Sequence, residues 1–259
     1  MRARSTRARP PQGDRVRRLS ALPVYLLDDR LLFPPPEHAE KGVVAVGGDL
    51  RPERVLLAYR MGIFPWYHEG QPILWHSPDP RAVLQLDRVH VSRSLRPVLK
   101  RGDFEVTFDR AFARVIRACK DAYRPGQDGT WITDEQEAAF VRLHELGFAH
   151  SIESWTRAPE EREQPRELAG GLYGVSIGRM FFGESMFSWQ PNASKVALVT
   201  LARRLQSWGA WFLDAQVLNP FTESMGAEEW PRKLFLERLD EETQAAPTRQ
   251  GSWDLPSGG

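Results

Sequence analysis

The residues with the most chemical promise lie on one predicted strand, Trp211 to Leu218. Regular alternation would send Trp211, Leu213, Ala215 and Val217 to one side and put Asp214 and Gln216 together on the other. A carboxylate and a carboxamide would then share one face of an apolar strand, as a site would place them. Two solvated polar residues on a half-exposed sheet would give the same pattern. The apolar and aromatic neighbours weigh against that, because an unpartnered carboxylate among them is costly. Glu184 interrupts a second apolar run, Met180 to Phe187, and two acids facing one cleft suit a cationic group. Trp66, Trp75 and Trp131 fall in Pro- or Gly-bounded loops, where rings are free to stack on nucleobases; Trp155 and Trp208 read as core. Arg88, Arg93, Arg96, Lys100 and Arg101 have only Asp87 close by, and Arg93, Arg96 and Lys100 follow at i, i+3 and i+7. Such a row is either a solvated helix face or a patch for phosphates.

What is absent narrows the chemistry. No GxGxxG or GxxxxGK[ST] anchors a nucleotide, and the six histidines include no HExxH; His144-Glu145 reads as a solvated helix face. Gly183-Glu184-Ser185-Met186-Phe187 lacks the closing Gly of a nucleophile elbow. Cys119, the one cysteine, reads as a packed thiol and can form no internal disulfide. No cofactor and no metal are expected. The charges nearly cancel, 35 Lys and Arg against 34 Asp and Glu, but residues 1–20 hold seven Arg against Asp14 alone. No stretch approaches the ~18 consecutive apolar residues of a membrane span. The expectation is a soluble, cytoplasmic monomer with no membrane partner.

The elements that must position these residues follow from the punctuation of the chain. At 259 residues with 41% apolar side chains, it suffices for one large globular unit with a small lobe. The expected division is a disordered basic arm over 1–20, a lobe rich in Pro, Gly and aromatics over 21–80, a main domain over 81–240 and a loose tail over 241–259. In the lobe one helix is clear, Pro52 to Met61, stopped by Gly62. Beyond Arg81 helices and strands alternate. Ser94 is expected to cap a helix to Arg101, and Thr133 with Gln136 forms a capping box for a helix to Gly147. Strands are predicted at Glu105–Phe108, Phe148–Trp155, Leu168–Ile177 and Met180–Phe187. Asn192 is expected to cap a helix with Ala197, Leu198, Leu201, Leu205 and Trp208 on one face, and Pro231 opens a last helix through Leu239. The fold class is α+β, a mostly antiparallel sheet flanked by helices.

Seven words in order carry a resemblance: Gly47-Gly48-Asp49-Leu50, Tyr59 through Trp66, Trp75 through Arg81, Gly129 through Thr133, Gly183 through Ser188, Asn192-Ala193-Ser194-Lys195 and Asp214 through Asn219. Together they resemble the bacterial leucyl/phenylalanyl-tRNA–protein transferases over roughly Phe33 to Leu239. The resemblance implies a small N-terminal lobe and a domain similar to the GNAT (acyl-CoA N-acyltransferase-like) enzymes. It implies transfer of Leu or Phe from aminoacyl-tRNA to the α-amine of proteins with N-terminal Arg or Lys, which marks them for N-degron proteolysis. It implies Asp214 and Gln216 as the catalytic pair with Glu184 beside them. Trp66 and Trp131 match positions that meet the terminal adenosine. Leu172, Met186, Leu198, Leu201 and Leu213 match the pocket for the transferred side chain, and Tyr59 and Asn219 match further site positions. Arg93, Arg96, Lys100 and Arg101 lie in the segment that matches the patch for the tRNA acceptor stem. Leu172 and Leu201 stand where the best-known members carry Met and Phe.

The sequence leaves several mechanisms open: Asp214 as base, Asp214 as holder of the cationic residue, Asp214 orienting Gln216 while Gln216 accepts from the amine, or proton transfer by the tRNA's own 2′-hydroxyl. A coenzyme-A-dependent acetyltransferase is disfavoured, because Gln206 to Trp211 fails the last position of a [QR]xxGx[GA] turn. A non-catalytic RNA-binding protein would leave Asp214, Gln216 and Glu184 without a task.

Overall fold

The computed structural model describes residues 17–18, 24–122, 130–157 and 166–254. Of the predicted basic arm only Arg17 and Arg18 fall within them, and most of the Ala158–Glu167 loop falls outside. A small sheet comes first. β1 (Arg17–Arg18) pairs antiparallel with β2 (Tyr25–Leu27), which runs parallel to β3 (Val43–Gly47). Helix α1 (Pro52–Arg60) follows, then β4 (Phe64–Pro65) and β5 (Leu74–His76), giving the order β1-β2-β3-β5-β4. Gly62 ends α1 at φ +71, and a Cβ there would lie 2.5 Å from Leu236, so glycine admits the last helix of the chain to the lobe. Trp75 is wholly buried, with its Nε1–H donated to the Gly47 carbonyl at 2.8 Å and Phe33 edge-on at 4.8 Å. This corrects its reading as a loop ring free to stack: it is core.

The larger sheet begins with β6 (Arg81–Gln85). Then follow α2 (Leu95–Arg101), β7 (Phe104–Phe108), α3 (Phe112–Asp121), α4 (Asp134–Glu145), β8 (Ala149–Thr156), β9 (Leu168–Ile177) and β10 (Met180–Ser188). α5 (Ala193–Ser207), β11 (Phe212–Gln216), α6 (Pro220–Ser224), β12 (Glu228–Trp230) and α7 (Arg232–Gln244) complete the chain. The order is β12-β6-β11-β10-β9-β8-β7, with every neighbouring pair antiparallel except β10 and β11. The α+β expectation, with a mostly antiparallel sheet, describes it.

Both faces of this sheet are covered. Val115, Ile116, Phe140, Tyr173, Phe182 and Phe235 join the small lobe in one core, while Leu95, Leu172, Phe181, Leu198, Leu201 and Leu213 form a second core under α5. All ten residues of β9 are buried as a result, and each large apolar side chain so covered contributes about 1.5–3 kcal/mol. Gly170 lets α5 approach, since a Cβ on it would sit 2.6 Å from the Cβ of Ala193.

Two predicted caps are corrected. Ser94 is in the right-handed helical region and Asn192 in the left-handed region at φ 71; neither side chain caps, because a capping side chain reaches its N–H from extended backbone. Ser92 Oγ accepts from Leu95 N–H at 3.2 Å instead, and Ser188 Oγ from Ser194 N–H at 3.2 Å. The Thr133–Gln136 capping box is present. The structure also differs on the loose tail. α7 continues to Gln244, and buried Trp253 stacks on His150 at 3.7 Å while its N–H reaches Asp109 Oδ2 at 2.7 Å. A buried indole with a satisfied backbone holds residues 245–254 against the domain.

Candidate active site

β10 and β11 are parallel neighbours whose ladder holds one register pair, Phe182 with Asp214. Beyond that pair Gly183 to Ser188 on one strand and Ala215 to Val217 on and after the other line a cavity of about 910 Å³. That is towards the upper end of the range for small-molecule sites, ~300–1,000 Å³. Its floor is aliphatic: Leu172, Met186, Leu198, Leu201 and Leu213 all line it. Trp66, Trp131, Phe187 and Trp189 line it as well. The floor residues on β9 and α5 belong to the core under α5, whereas Phe187 and Trp131 belong with the core on the lobe side.

Gln216 reaches this cavity through an irregularity. The β11–β6 register shifts between Asp214 and Gln216, and Gln216 adopts φ 60, a left-handed conformation that costs a non-glycine residue about 1–3 kcal/mol. The Asp214 carboxylate offsets that cost by accepting the Gln216 backbone N–H at 2.9 Å. Gln216 then donates from Nε2 to Glu184 Oε1 at 2.7 Å, which leaves its carbonyl oxygen for another partner. Tyr59 donates its hydroxyl to the same Glu184 oxygen at 2.6 Å, and Glu184 Oε2 is buried with no hydrogen bond. Burial pushes the Glu184 carboxyl up to about 8; the Tyr59 and Gln216 hydrogen bonds pull it down, and the Asp214 charge pushes it further up. Tyr59 itself is raised well above its ordinary 10, by burial first and by Glu184 next.

Asp214 does not face the cavity. It is wholly buried and takes Arg81 in a fork, Nε to Oδ1 at 2.8 Å and Nη2 to Oδ2 at 2.6 Å. Arg81 also donates to the Gly62 carbonyl at 3.1 Å and lies between the rings of Phe64 and Phe235, 4.7 and 4.6 Å from their centroids. The expectation of Asp214 and Glu184 sharing one cleft is therefore corrected. Register shift and left-handed backbone break the alternation that would have paired Asp214 with Gln216, and Arg81 neutralises the carboxylate. Glu184 lines the cavity instead, as does Asp121 at the end of α3.

The remaining predicted residues divide by place. Asn219 lines the cavity and caps α6, its Oδ1 accepting from Phe221 and Thr222 N–H at 3.0 Å each. Tyr59 stands behind Glu184, buried against Phe182 at 5.0 Å. Trp66 is held through its carbonyl, which accepts from His76 Nε2–H at 3.0 Å, and burial lowers the His76 pKa. Arg93, Arg96, Lys100 and Arg101 lie apart from the cavity lining, exposed at and before α2. Arg93 precedes that helix, so the three-residue helical row is reduced to Arg96 and Lys100, and Arg101 is engaged by Asp103 at 2.9 Å. Sequence reasoning missed Arg81, His76 and Trp189. The first two sit inside the Trp75–Arg81 word, which was a signal; Trp189 had none.

Known proteins add what geometry alone does not. The family model described as leucyl/phenylalanyl-tRNA protein transferase matches residues 83–240, and that of its N-terminal domain matches residues 48–79. These matches make the chain a transferase enzyme, on a mixed α/β scaffold. A leucyl/phenylalanyl-tRNA–protein transferase of Myxococcus xanthus is 58% identical over 235 residues, covering 90% of this chain and 97% of its own. One from Anaeromyxobacter sp. is 52% identical, covering 91% of this chain and 97% of its own, and one from Stutzerimonas stutzeri is 54% identical, covering 83% and 92%. The chain belongs to the leucyl/phenylalanyl-tRNA–protein transferase family.

Proposed function

We propose that this protein moves Leu or Phe, and Met weakly, from aminoacyl-tRNA to the α-amine of proteins that begin with Arg or Lys, marking them for N-degron proteolysis. The observation that carries the reading is Gln216: a carboxamide locked by Asp214 at its backbone and by Glu184 at its Nε2, with its carbonyl oxygen left to accept. It stands over an aliphatic floor fit for an apolar side chain.

The chemistry makes modest demands. An aminoacyl ester is already activated, and an α-amine of pKa about 7.7–8.0 keeps roughly a tenth to a sixth of its population neutral near pH 7. The amine nitrogen attacks the ester carbon, the C–N bond forms, the C–O bond to the ribose breaks, and one amine proton passes to the departing ribose oxygen. Gln216 accepts a hydrogen bond from the amine and aims its lone pair, and this positioning is worth up to ~7–11 kcal/mol. Asp214 acts as a positioning residue, being ion-paired and away from the cavity. Glu184 Oε1 holds Gln216 Nε2 in place, so Glu184 acts as a positioning residue whose buried carboxyl is raised to about 8. Trp66 and Trp131 stack on the terminal adenosine, and Arg93, Arg96, Lys100 and Arg101 bind the acceptor stem.

We further read the larger sheet and its helices as a GNAT-like domain over 81–240 behind a lobe over 21–80, and the protein as a cytoplasmic monomer. Incubation with leucyl-tRNA and an N-terminal-Arg peptide, followed by weighing the peptide, tests the function. The expected mass gain is one leucine residue; no gain, or a gain of acetyl with acetyl-coenzyme A, would overturn it.

A further inference from the structure

Trp189 is the most exposed large apolar side chain among the described residues, at 60%. Its backbone is nonetheless firmly held. The N–H groups of Trp189 and Gln190 both reach the Ala169 carbonyl, at 2.8 and 3.0 Å, and Ser188 Oγ donates to the Gln190 carbonyl at 2.8 Å. The indole leans on Phe187 at 4.7 Å and lines the cavity. A flexible loop would let so large a ring fold onto the surface. Here a rigid backbone presents it to water beside the site, as a stacking surface must be presented.

The surroundings choose its occupant. From Trp189 the chain enters α5, whose first turn has no acidic residue and instead carries Lys195, a cation at the positive end of the helix. A cation and a helix N-terminus just after the ring favour a nucleotide there, whose base needs a ring and whose phosphate needs positive charge, while the acids of the cavity, Asp121 and Glu184, stand on other elements. Trp66 and Trp131 already serve the terminal adenosine in the reading above, on which this step rests. We infer that Trp189 is a stacking platform for a second nucleobase, that of the cytidine preceding the terminal adenosine of the aminoacyl-tRNA.

The test uses three non-hydrolysable, amide-linked analogues: phenylalanyl-adenosine, the same with a 5′ cytidylyl residue, and the same with an abasic ribose phosphate in its place. Calorimetry with the full-length protein should find the cytidylyl analogue tighter than the abasic one by about 5- to 150-fold, the span of one base stacked on an aromatic ring. Trp189→Ala should abolish that difference and Trp189→Phe should keep most of it, each protein's difference being referred to its own affinity for phenylalanyl-adenosine. Equal affinity of wild type for the cytidylyl and abasic analogues would overturn the inference. So would a Trp189→Ala protein that keeps the difference but shows a raised KM for long Arg-peptides relative to short ones, which would give the ring to the acceptor protein. Leucine transfer by wild type is measured alongside: its absence sinks the proposed function, whereas transfer with no base effect sinks this inference alone.

Discussion

The Asp214 carboxylate accepts the backbone N–H of Gln216 at 2.9 Å, and Gln216 holds φ 60 at that contact. An acid with no face on the cavity thus sets the pose of a carboxamide that has one. Asp214→Ala and Gln216→Ala should each lower the transfer rate by about 10²-fold or more while leaving tRNA affinity nearly unchanged, because a misaimed amine loses orientation rather than binding. Single-turnover transfer and a filter-binding isotherm for the same variants separate the two quantities; near-wild-type turnover in both variants would remove the pair from the mechanism.

Arg81 and Asp214 neutralise each other in a fully buried fork. Arg81→Met leaves a buried carboxylate without its cation and should cost about 3–5 kcal/mol of stability. Arg81→Met combined with Asp214→Leu should recover much of that loss and stay inactive. Urea unfolding of the three variants checks the first part, peptide mass the second. An additive double variant would show that the pair is not coupled.

Glu184 sits at about 8 in the folded protein against an ordinary 4.5, with burial as the chief cause. The folded state therefore binds this proton more tightly than the unfolded chain. Its contribution is fully present below about pH 4.5 and is lost as pH rises towards about 8. Glu184→Gln should gain on wild type across that window and run parallel to it beyond. Tyr59→Phe, which removes a hydrogen bond that favours the ionised form, should move the end of the window upward. Denaturation at a series of pH values tests both; identical pH slopes for wild type and Glu184→Gln would refute the assignment.

Arg93, Arg96 and Lys100 are exposed, whereas Arg101 is occupied by Asp103. Replacing each of the first three with Gln should weaken tRNA binding and reduce the log–log salt slope by ~0.7–0.9 per lost phosphate contact, and replacing Arg101 should do less. Salt titration of tRNA binding decides it. An unchanged slope would make the patch a solvated face.

The cavity floor of Leu172, Met186, Leu198, Leu201 and Leu213 has no polar side chain to discriminate with. Shape alone is a weak sieve, worth about 1–3 kcal/mol per methylene. Leu should be transferred well, Phe and Met detectably, and Ile and Val poorly, since branching at Cβ puts bulk beside the fixed ester. Competition among leucyl-, phenylalanyl-, methionyl- and isoleucyl-tRNA for one Arg-peptide measures this. Equal use of isoleucyl-tRNA would contradict a shape-selective floor.

What the sequence by itself determined is what local physics dictates. The β8–β10 strands, the Thr133–Gln136 box and the apolar face of α5 follow from periodicity and capping over a few residues, and they lie where the pattern puts them. Glu184 and Gln216 stand out as polar residues in apolar strands, and the resemblance singled out the five floor residues. Only the tertiary structure decided the rest. Alternation presumes an unbroken ladder, so a register shift at Asp214 sent that acid to Arg81, 133 residues distant, and Gln216 to the cavity. Tyr59 meets Glu184 across 125 residues, and Trp253 docks on His150 from what reads as a tail. Trp75 and Trp189 are the same residue type in similar polar and Pro-bounded text, one wholly buried and the other largely in water. No local pattern distinguishes them, because the burial of a ring is set by which distant segments pack over it.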